Sequence, residues 1–213
     1  MITPESDWAA PEVLPRFSDN ELLAIDLETC DPSLKERGPG WATGDGFVVG
    51  IAIASEKWSG YLPIRHEGGG NLEIELVLPW LKRMLAAHRG PLVFHNALYD
   101  VGWLKREGME VSCPIYDTMF AAPLLDENRH GYSLNALGKD YCDEEKDESL
   151  LEEAARAWGV NTKSGLYQLP AKYAGPYAEK DAALTLQLWN QLYPRIQEQG
   201  LDKIFKLECD LIP

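Results

Sequence analysis

The sequence has few cysteines, no long apolar run and no cluster of metal-binding Cys or His residues. Its four cysteines, Cys30, Cys113, Cys142 and Cys209, are widely spaced and form no C-x-x-C pair. This argues against structural zinc and favours reduced thiols in a cytosolic compartment. No stretch approaches the roughly 20 apolar residues that a membrane-spanning helix needs. The N-terminus also lacks the basic region and apolar run of a signal peptide.

Basic residues are also scarce. The chain has 20 Lys and Arg against 34 Asp and Glu, which gives a formal net charge of −14. Affinity for nucleic acid comes largely from neutralising phosphates, so this balance by itself argues against a DNA- or RNA-binding protein. Two arrangements would reconcile the charge with such a partner: divalent cations bound at the site, or a second domain that supplies the main grip.

The chain is long enough to bury a full core. It has 213 residues, of which 45% are hydrophobic, and seven tryptophans. We interpret residues 1–19 as an extended, proline-interrupted arm and residues 20–213 as one domain, with no internal boundary. The glycine-rich run at 66–71 lacks the G-K-[ST] ending of a phosphate-binding loop and is typical of a flexible turn.

Apolar patterning predicts an α/β domain. Strands are expected at 22–27, 46–55 and 58–64, joined by short links as an antiparallel meander, and at 91–94. Helices are expected at 72–88, at 97–108, from near Asp117, at 133–141 with Ser133 as N-cap, and from about residue 176 onward. The segment 160–175 reads as a loop-rich insertion.

Asp26 and Glu28 end the first predicted strand, in the sequence LLAIDLET. Residues two apart on a strand leave the same face, so both carboxylates point in one direction. Burying a carboxylate beside an apolar strand is costly unless it is paired or coordinates a cation. The alternative is a strand that simply runs into solvent, and this motif alone does not decide between the two.

Two further motifs also allow both a functional and a structural interpretation. Asp100 lies one helical turn after Asn96, at the start of the helix that follows strand 91–94. Asn96 as a helix cap and Asp100 as a surface residue would explain it equally well. Tyr177 and Asp181 are four apart on the last long helix and share one face. Alone, a tyrosine there is more often a packed aromatic than a functional group.

Taken together and in this order, the three motifs are specific. DLET, HNALYD and YAEKDAALTLQLW resemble the motifs of the DEDDy-type 3′–5′ exonucleases of the RNase H-like superfamily. The resemblance is strongest to the proofreading exonuclease domain of family A DNA polymerases and runs from about residue 20 to the C-terminus. Segments 36–47 and 142–175 look more like phage versions. The resemblance implies a central mixed five-stranded sheet, its first three strands antiparallel, flanked by helices.

The resemblance also implies a metal site and roles for its residues. Two divalent cations, Mg²⁺ or Mn²⁺, are expected, in keeping with an all-carboxylate ligand set. Asp26 would bridge both ions, Glu28 and Asp181 would complete one site, and Asp100 would hold the second largely through water. Tyr177 would orient the attacking water, since a phenol with a pKa near 10 is a poor base at neutral pH.

The implied substrate is a frayed, single-stranded DNA 3′ end, hydrolysed to nucleoside 5′-monophosphates. The candidate substrate contacts are Thr29, Leu34 and Asn96. Looser candidates for stacking, with packing or surface roles as the alternative, are Tyr132, Tyr167 and Tyr173. His95 adjoins Asn96 and could face the site, whereas surface positions are expected for His66, His88 and His130.

Other expectations concern the partners. A polymerase domain is expected to follow, with the helix at 201–212 leading into it, and to carry most of the DNA contact. The cytoplasm, of the host if a phage encodes the chain, is the expected location. A ribonuclease D-like RNA exonuclease and an inactive fold used for binding stay open as alternatives. The acidic run at 143–159 reads as a solvated helix start, with an acidic metal or protein site as its functional alternative.

Overall fold

The computed structural model describes residues 3–212, and its centre is one mixed five-stranded sheet. The strands are β1 (Leu23–Cys30), β2 (Phe47–Ala54), β3 (Ser59–Pro63), β4 (Leu92–Phe94) and β5 (Ile115–Asp117), in the order β3-β2-β1-β4-β5. β1 pairs antiparallel with β2, and β2 with β3, whereas β4 pairs parallel with β1 and with β5. This confirms the predicted mixed sheet with an antiparallel first half.

Helices cover both faces of the sheet. They are α1 (Leu34–Arg37), α2 (Gly40–Thr43), α3 (Ile74–Ala87), α4 (Ala97–Arg106), α5 (Thr118–Leu125), α6 (Leu134–Cys142), α7 (Ser149–Trp158), α8 (Ala171–Glu198) and α9 (Asp202–Cys209). One core lies between the sheet and α3 and α4, and the other lies under α5–α9. No helix among the described residues is long and apolar enough to cross a membrane.

The alternation of β1 decides which way its acidic residues point. Leu23, Ile25 and Leu27 are buried in the core with α3 and α4, whereas Ala24 faces the α8 side. Burying a Leu or Ile side chain stabilises the fold by about 1.5–3 kcal/mol, so a one-residue slip of this strand would be expensive. The register therefore sends Asp26 and Glu28 to the face that α8 covers.

Helix α8 begins at Ala171, so the prediction that residues 171–175 belong to a loop is wrong. These residues help to fill the core, since Ala171, Tyr173 and Ala174 are buried. Pro176 lies inside the helix and has no N–H to give to the carbonyl of Lys172. The hydroxyl of Ser6 donates to that carbonyl instead, at 2.9 Å.

The N-terminal arm contains no helix or strand from residue 3 to 22, and its first part packs against α8. The Trp8 indole donates to Glu179 at 2.9 Å. Its ring lies so close to Gly175 that a Cβ there would come within 2.1 Å. The Tyr173 hydroxyl donates to the Pro4 carbonyl. The arm thus holds the first turns of α8, which carry Tyr177. The boundary at residue 19 stays a prediction.

The prediction that His66 and His88 lie on the surface is wrong. Both are buried, at 3% and 1% exposure, whereas His130 is exposed as expected. The His66 ring bridges the Tyr61 hydroxyl, at 2.8 Å, and the Leu169 carbonyl, at 2.9 Å. It therefore ties the end of β3 to the chain just before α8. Burial lowers the pKa of His66 to about 4, because a charged ring would lose its hydration there.

The burial of His66 predicts that the free energy of unfolding depends on pH. Because the folded pKa of His66 is below its ordinary value of 6.5, protons bind the unfolded chain first, and stability is lost as pH falls from about 6.5 to 4. Between pH 7 and 4.5, wild type should lose about 2 kcal/mol more unfolding free energy than His66→Gln. Urea denaturation at both pH values measures this. His130→Gln is the exposed control, and equal losses in wild type and His66→Gln would contradict the assignment.

Candidate active site

Strand β1 carries two carboxylates beyond the point where its parallel neighbour ends. The β1–β4 register stops at the pair Ala24–Val93. Asp26 and Glu28 lie further along β1, opposite Ala52 and Gly50 of β2, and a register shift follows Glu28. Both side chains are half-buried. On the β4 side the sheet is open at this level, which leaves room for other groups to approach the two carboxylates.

Helix α8 brings Tyr177 and Asp181 to the same place. Asp181 is 6% exposed, and Ala178 and Ala182 between and beyond the pair are fully buried. These small side chains allow the helix to lie close against the sheet. Single carboxylate oxygens of Asp26, Glu28 and Asp181 all lie within 4.8 Å of one another. Residues more than 150 positions apart in the chain therefore form one cluster.

Asp100 stands behind this triple, on the first turn of α4. It is 4% exposed, and it lies near enough to Asp26 for the two charges to repel each other. The turn before α4 is tight, since Asn96 adopts a left-handed φ of 80°. Asp117, at the end of β5, accepts hydrogen bonds from the backbone N–H groups of Asn96 and Ala97, at 3.0 and 2.7 Å. Asp117 thus fixes the start of α4 and, with it, the position of Asp100.

Asp117 is not among the predicted site residues, although the sequence predicts a helix that starts near it. It also accepts from the Met119 N–H at 2.8 Å, so one carboxylate caps both α4 and α5. A sequence pattern can show the local cap on α5. The second cap depends on the parallel pairing of β4 with β5, which brings two distant helix starts together.

Burial raises the pKa values of the carboxyl groups of the cluster. Desolvation, and then the charge of Asp181, raises the pKa of Asp26 to about 7. Burial likewise raises the pKa values of Glu28 and Asp100 well above their usual range, with the Asp26 charge as the next cause. Burial raises the pKa of Asp181 as well, although Lys146 opposes this shift. A cation among these groups would relieve their mutual repulsion.

The ligand atoms suit a hard divalent cation. All are carboxylate oxygens, which Mg²⁺ and Mn²⁺ prefer, and no His or Cys belongs to the triple. Asp181 is buried, and the Lys146 ammonium, which lies against both of its oxygens, balances its charge. A buried carboxylate is costly unless a cation balances it, and a bound metal ion is another cation that can do so. The residues present therefore fit a Mg²⁺ or Mn²⁺ ion.

Lys146 places an ammonium group in this cluster, although it is not among the residues predicted for the site. Its Nζ donates to Asp181 Oδ2 at 2.7 Å and lies 2.5 Å from Oδ1. It also lies 4.2 Å from the centre of the Tyr177 ring, a cation–π contact. The available signal was a single lysine inside the acidic run DEEKDE, 143–148. That run read as a solvated helix start, which offers no reason to bury a lysine.

The Tyr177 phenol keeps its proton in this setting. Burial, followed by the charges of Glu28, Asp181 and Asp26, raises the pKa of Tyr177 far above its usual value of 10. The hydroxyl can therefore donate or accept a hydrogen bond, but it is a poor base at neutral pH. This agrees with an orienting role.

The cluster opens into a cleft of about 660 Å³. His95 lines it, as the sequence suggested, and burial lowers the pKa of His95 to about 4, so that its ring is neutral. The full lining comprises Asp26, His95, Ser133, Leu134, Asn135, Lys146, Glu148, Ser149, Glu152, Lys163, Tyr177 and Asp181. The acidic run thus contributes Glu148 and Glu152 to the cleft, whereas Glu145 is exposed and pairs with Lys139.

The candidate substrate contacts lie off this lining. The Thr29 hydroxyl is hydrogen-bonded to the Tyr99 hydroxyl at 2.8 Å. Leu34 is 42% exposed and Asn96 is exposed. Their contacts with a substrate stay predictions. Among the looser candidates, Tyr173 is fully buried, so the packing alternative holds for it. Tyr132 and Tyr167 are half-buried and hydrogen-bonded to their own neighbourhood.

Comparison with known proteins places this geometry in a family. Residues 10–197 match the family model described as 3′–5′ exonuclease. The chain is 40% identical over 219 aligned positions to a DNA-directed DNA polymerase of Pseudomonas phage M6, covering 100% of this chain and 33% of that protein. It is 26% identical to DNA polymerase I of Pseudomonas aeruginosa, covering 94% of this chain and 21% of the relative. The chain therefore spans a third or less of these relatives.

Solved structures share the fold. Brucella melitensis NrnC, in a form with bound Mg²⁺, has a TM-score of 0.62 at 18% identity and covers 94% of this chain, which in turn covers 86% of it. Escherichia coli RNase D has a TM-score of 0.60 at 16% identity, with coverage of 91% and 44%. These likenesses show the RNase H-like fold. The family match and the 40% identical phage polymerase establish that the chain belongs to the 3′–5′ exonuclease family of family A DNA polymerases.

Proposed function

We propose that this chain is a metal-dependent 3′–5′ exonuclease domain that removes nucleotides from single-stranded DNA 3′ ends, in the service of proofreading. The observation that carries the proposal is the convergence of Asp26, Glu28 and Asp181 within 4.8 Å, with Asp26 and Asp181 lining an open cleft. The relatives named as DNA polymerases support DNA as the substrate. The product would be a nucleoside 5′-monophosphate.

Each residue of the cluster has a distinct task in this proposal. Asp26, Glu28 and Asp181, with Asp100 behind them, hold two divalent cations, which when bound stabilise charge on the attacking and leaving oxygens of an in-line displacement. Tyr177, protonated and fixed by α8, orients the water that attacks the phosphorus. His95 offers a neutral ring on the cleft wall, where a positive charge would have been costly.

The relatives' length supports a covalently linked polymerase. The chain covers 33% of the phage M6 polymerase and 20% of the DNA polymerase of Escherichia phage T5. A linked polymerase carrying most of the DNA contact would also explain how a domain with a net charge of −14 works on a polyanion. We place the reaction in the cytoplasm, that of the host where a phage encodes the protein.

RNA is the second candidate substrate. It is favoured by the shared fold with RNase D, described as an exoribonuclease involved in structured RNA processing. The chain's greater identity to polymerases than to this ribonuclease favours DNA. An inactive binding module is the weakest reading, because the sequence retains all four expected carboxylates and the tyrosine, and three of the carboxylates, Asp26, Glu28 and Asp181, lie together.

The substrate test uses two 3′-tailed oligonucleotides of the same sequence, one DNA and one RNA, with Mg²⁺. The DNA should be shortened from its 3′ end, one nucleoside 5′-monophosphate at a time, and faster than the RNA. Asp26→Asn should lower the rate at least about 1,000-fold, because it removes a ligand shared by the cations. Denaturing gels measure both rates. Faster trimming of the RNA would identify the domain as a ribonuclease. An Asp26→Asn variant that keeps its activity would show that the active site lies elsewhere.

Replacing only the tyrosine hydroxyl tests the orienting role. Tyr177→Phe keeps the ring against Lys146 and removes the group that holds the water, so kcat should fall about 10- to 100-fold with KM little changed. Tyr193→Phe, on the same helix and away from the cluster, is the matched control. Single-turnover hydrolysis of the DNA oligonucleotide separates the two constants. A large rise in KM with normal kcat would indicate that Tyr177 binds substrate instead.

A further inference from the structure

The ammonium group of Lys146 is held among carboxylates and is nearly removed from solvent. Its side chain is 7% exposed, and Asp181, its partner, is 8% exposed at the side chain. Glu148 Oε1 lies 3.8 Å from the same Nζ. A buried ammonium is costly unless it is paired and hydrogen-bonded, so this position reflects the negative charge of the cluster rather than chance.

The backbone that carries Lys146 is anchored, while its side chain is long and flexible. Residues 143–148 lie between α6 and α7 without helix or strand. The Lys146 N–H donates to Asn135 Oδ1 at 3.3 Å, and Asn135 lies on α6 and lines the cleft. The backbone at Lys146 is thus tied to α6. The four-carbon stem still allows the ammonium to swing without moving the main chain.

Lys146 and a divalent cation would bind the same atoms, the two carboxylate oxygens of Asp181. Nζ lies within 2.7 Å of both oxygens of Asp181, one of the three residues that form the candidate metal cluster. A divalent cation on Asp181 would lie within a few ångströms of the ammonium and repel it. Glu148, on the cleft wall, offers the displaced ammonium another partner.

We propose that Lys146 is a built-in competitor for the metal site: it holds Asp181 while the cations are absent, and it must leave Asp181 when they bind. It therefore stabilises the ion-free fold and weakens metal binding. On release it brings its positive charge to the cleft beside Glu148, where a substrate phosphate would approach. The proposal rests on the proposed function for the identity of the cation.

The test measures Mn²⁺ binding by calorimetry for wild type, Lys146→Met and Lys146→Arg. Lys146→Met keeps much of the stem and removes the charge, so Mn²⁺ should bind about tenfold more tightly or better, as expected when a like charge leaves the site. Lys146→Arg should stay near wild type. In EDTA the melting temperature of Lys146→Met should fall by several degrees, and saturating Mn²⁺ should abolish this difference.

Lys180→Met is the matched control, because Lys180 lies in the same region but pairs with Glu144, outside the cluster. It should change neither Mn²⁺ affinity nor the response to EDTA. If wild type binds Mn²⁺ and Lys146→Met binds it no more tightly, Lys146 is not a competitor for the metal site, and the proposed exonuclease function is unaffected. If wild type binds no Mn²⁺ and trims no oligonucleotide, both the exonuclease function and the role of Lys146 are wrong.

A second measurement needs no variant. Reductive methylation followed by peptide mass spectrometry reports how accessible each lysine amine is in wild type. Lys146 should react slowly in EDTA and severalfold faster with Mg²⁺, while Lys139, which is 64% exposed, should react alike in both. Equal protection of Lys146 with and without Mg²⁺ would contradict its displacement.

Discussion

The mutual repulsion of buried carboxylates is the constraint on which this structure depends. Asp26, Glu28, Asp100 and Asp181 are drawn together by elements that are stable for other reasons, and burial raises the pKa of each. Charged groups in such surroundings are tolerated only when a cation or a proton compensates them. The fold supplies one compensating charge itself, in Lys146.

This arrangement is possible because the strands of the sheet differ in length. β4 has three residues and β1 has eight, so β1 extends past its parallel neighbour. The carboxylates lie on this overhang, with α8 crossing one face and α4 approaching round the end of β4. The apolar residues of β1 fix its register, and Asp117 fixes the start of α4. Ordinary packing and capping, at a distance from the chemistry, thus determine where the reactive groups lie.

Much of this could be predicted from the sequence. The alternation in β1, the turn before Asp100 and the four-residue spacing of Tyr177 and Asp181 are local patterns, and the structure brings their side chains together. The errors share a different origin. His66 is buried because Tyr61 and Leu169 meet around it, and residues 171–175 are helical because the N-terminal arm packs over them. Such contacts join distant parts of the chain and leave no local signature.

Lys146 shows the same limit at the site. Nothing in the run DEEKDES distinguishes its one lysine from a solvated residue, because the reason for burying it is a carboxylate 35 positions away. The most direct measurement of the central claim is anomalous diffraction from crystals soaked in Mn²⁺. We predict manganese peaks bonded to Asp26, Glu28 and Asp181, with the Lys146 ammonium no longer on Asp181. Fully soaked crystals with no manganese at these carboxylates would contradict the account.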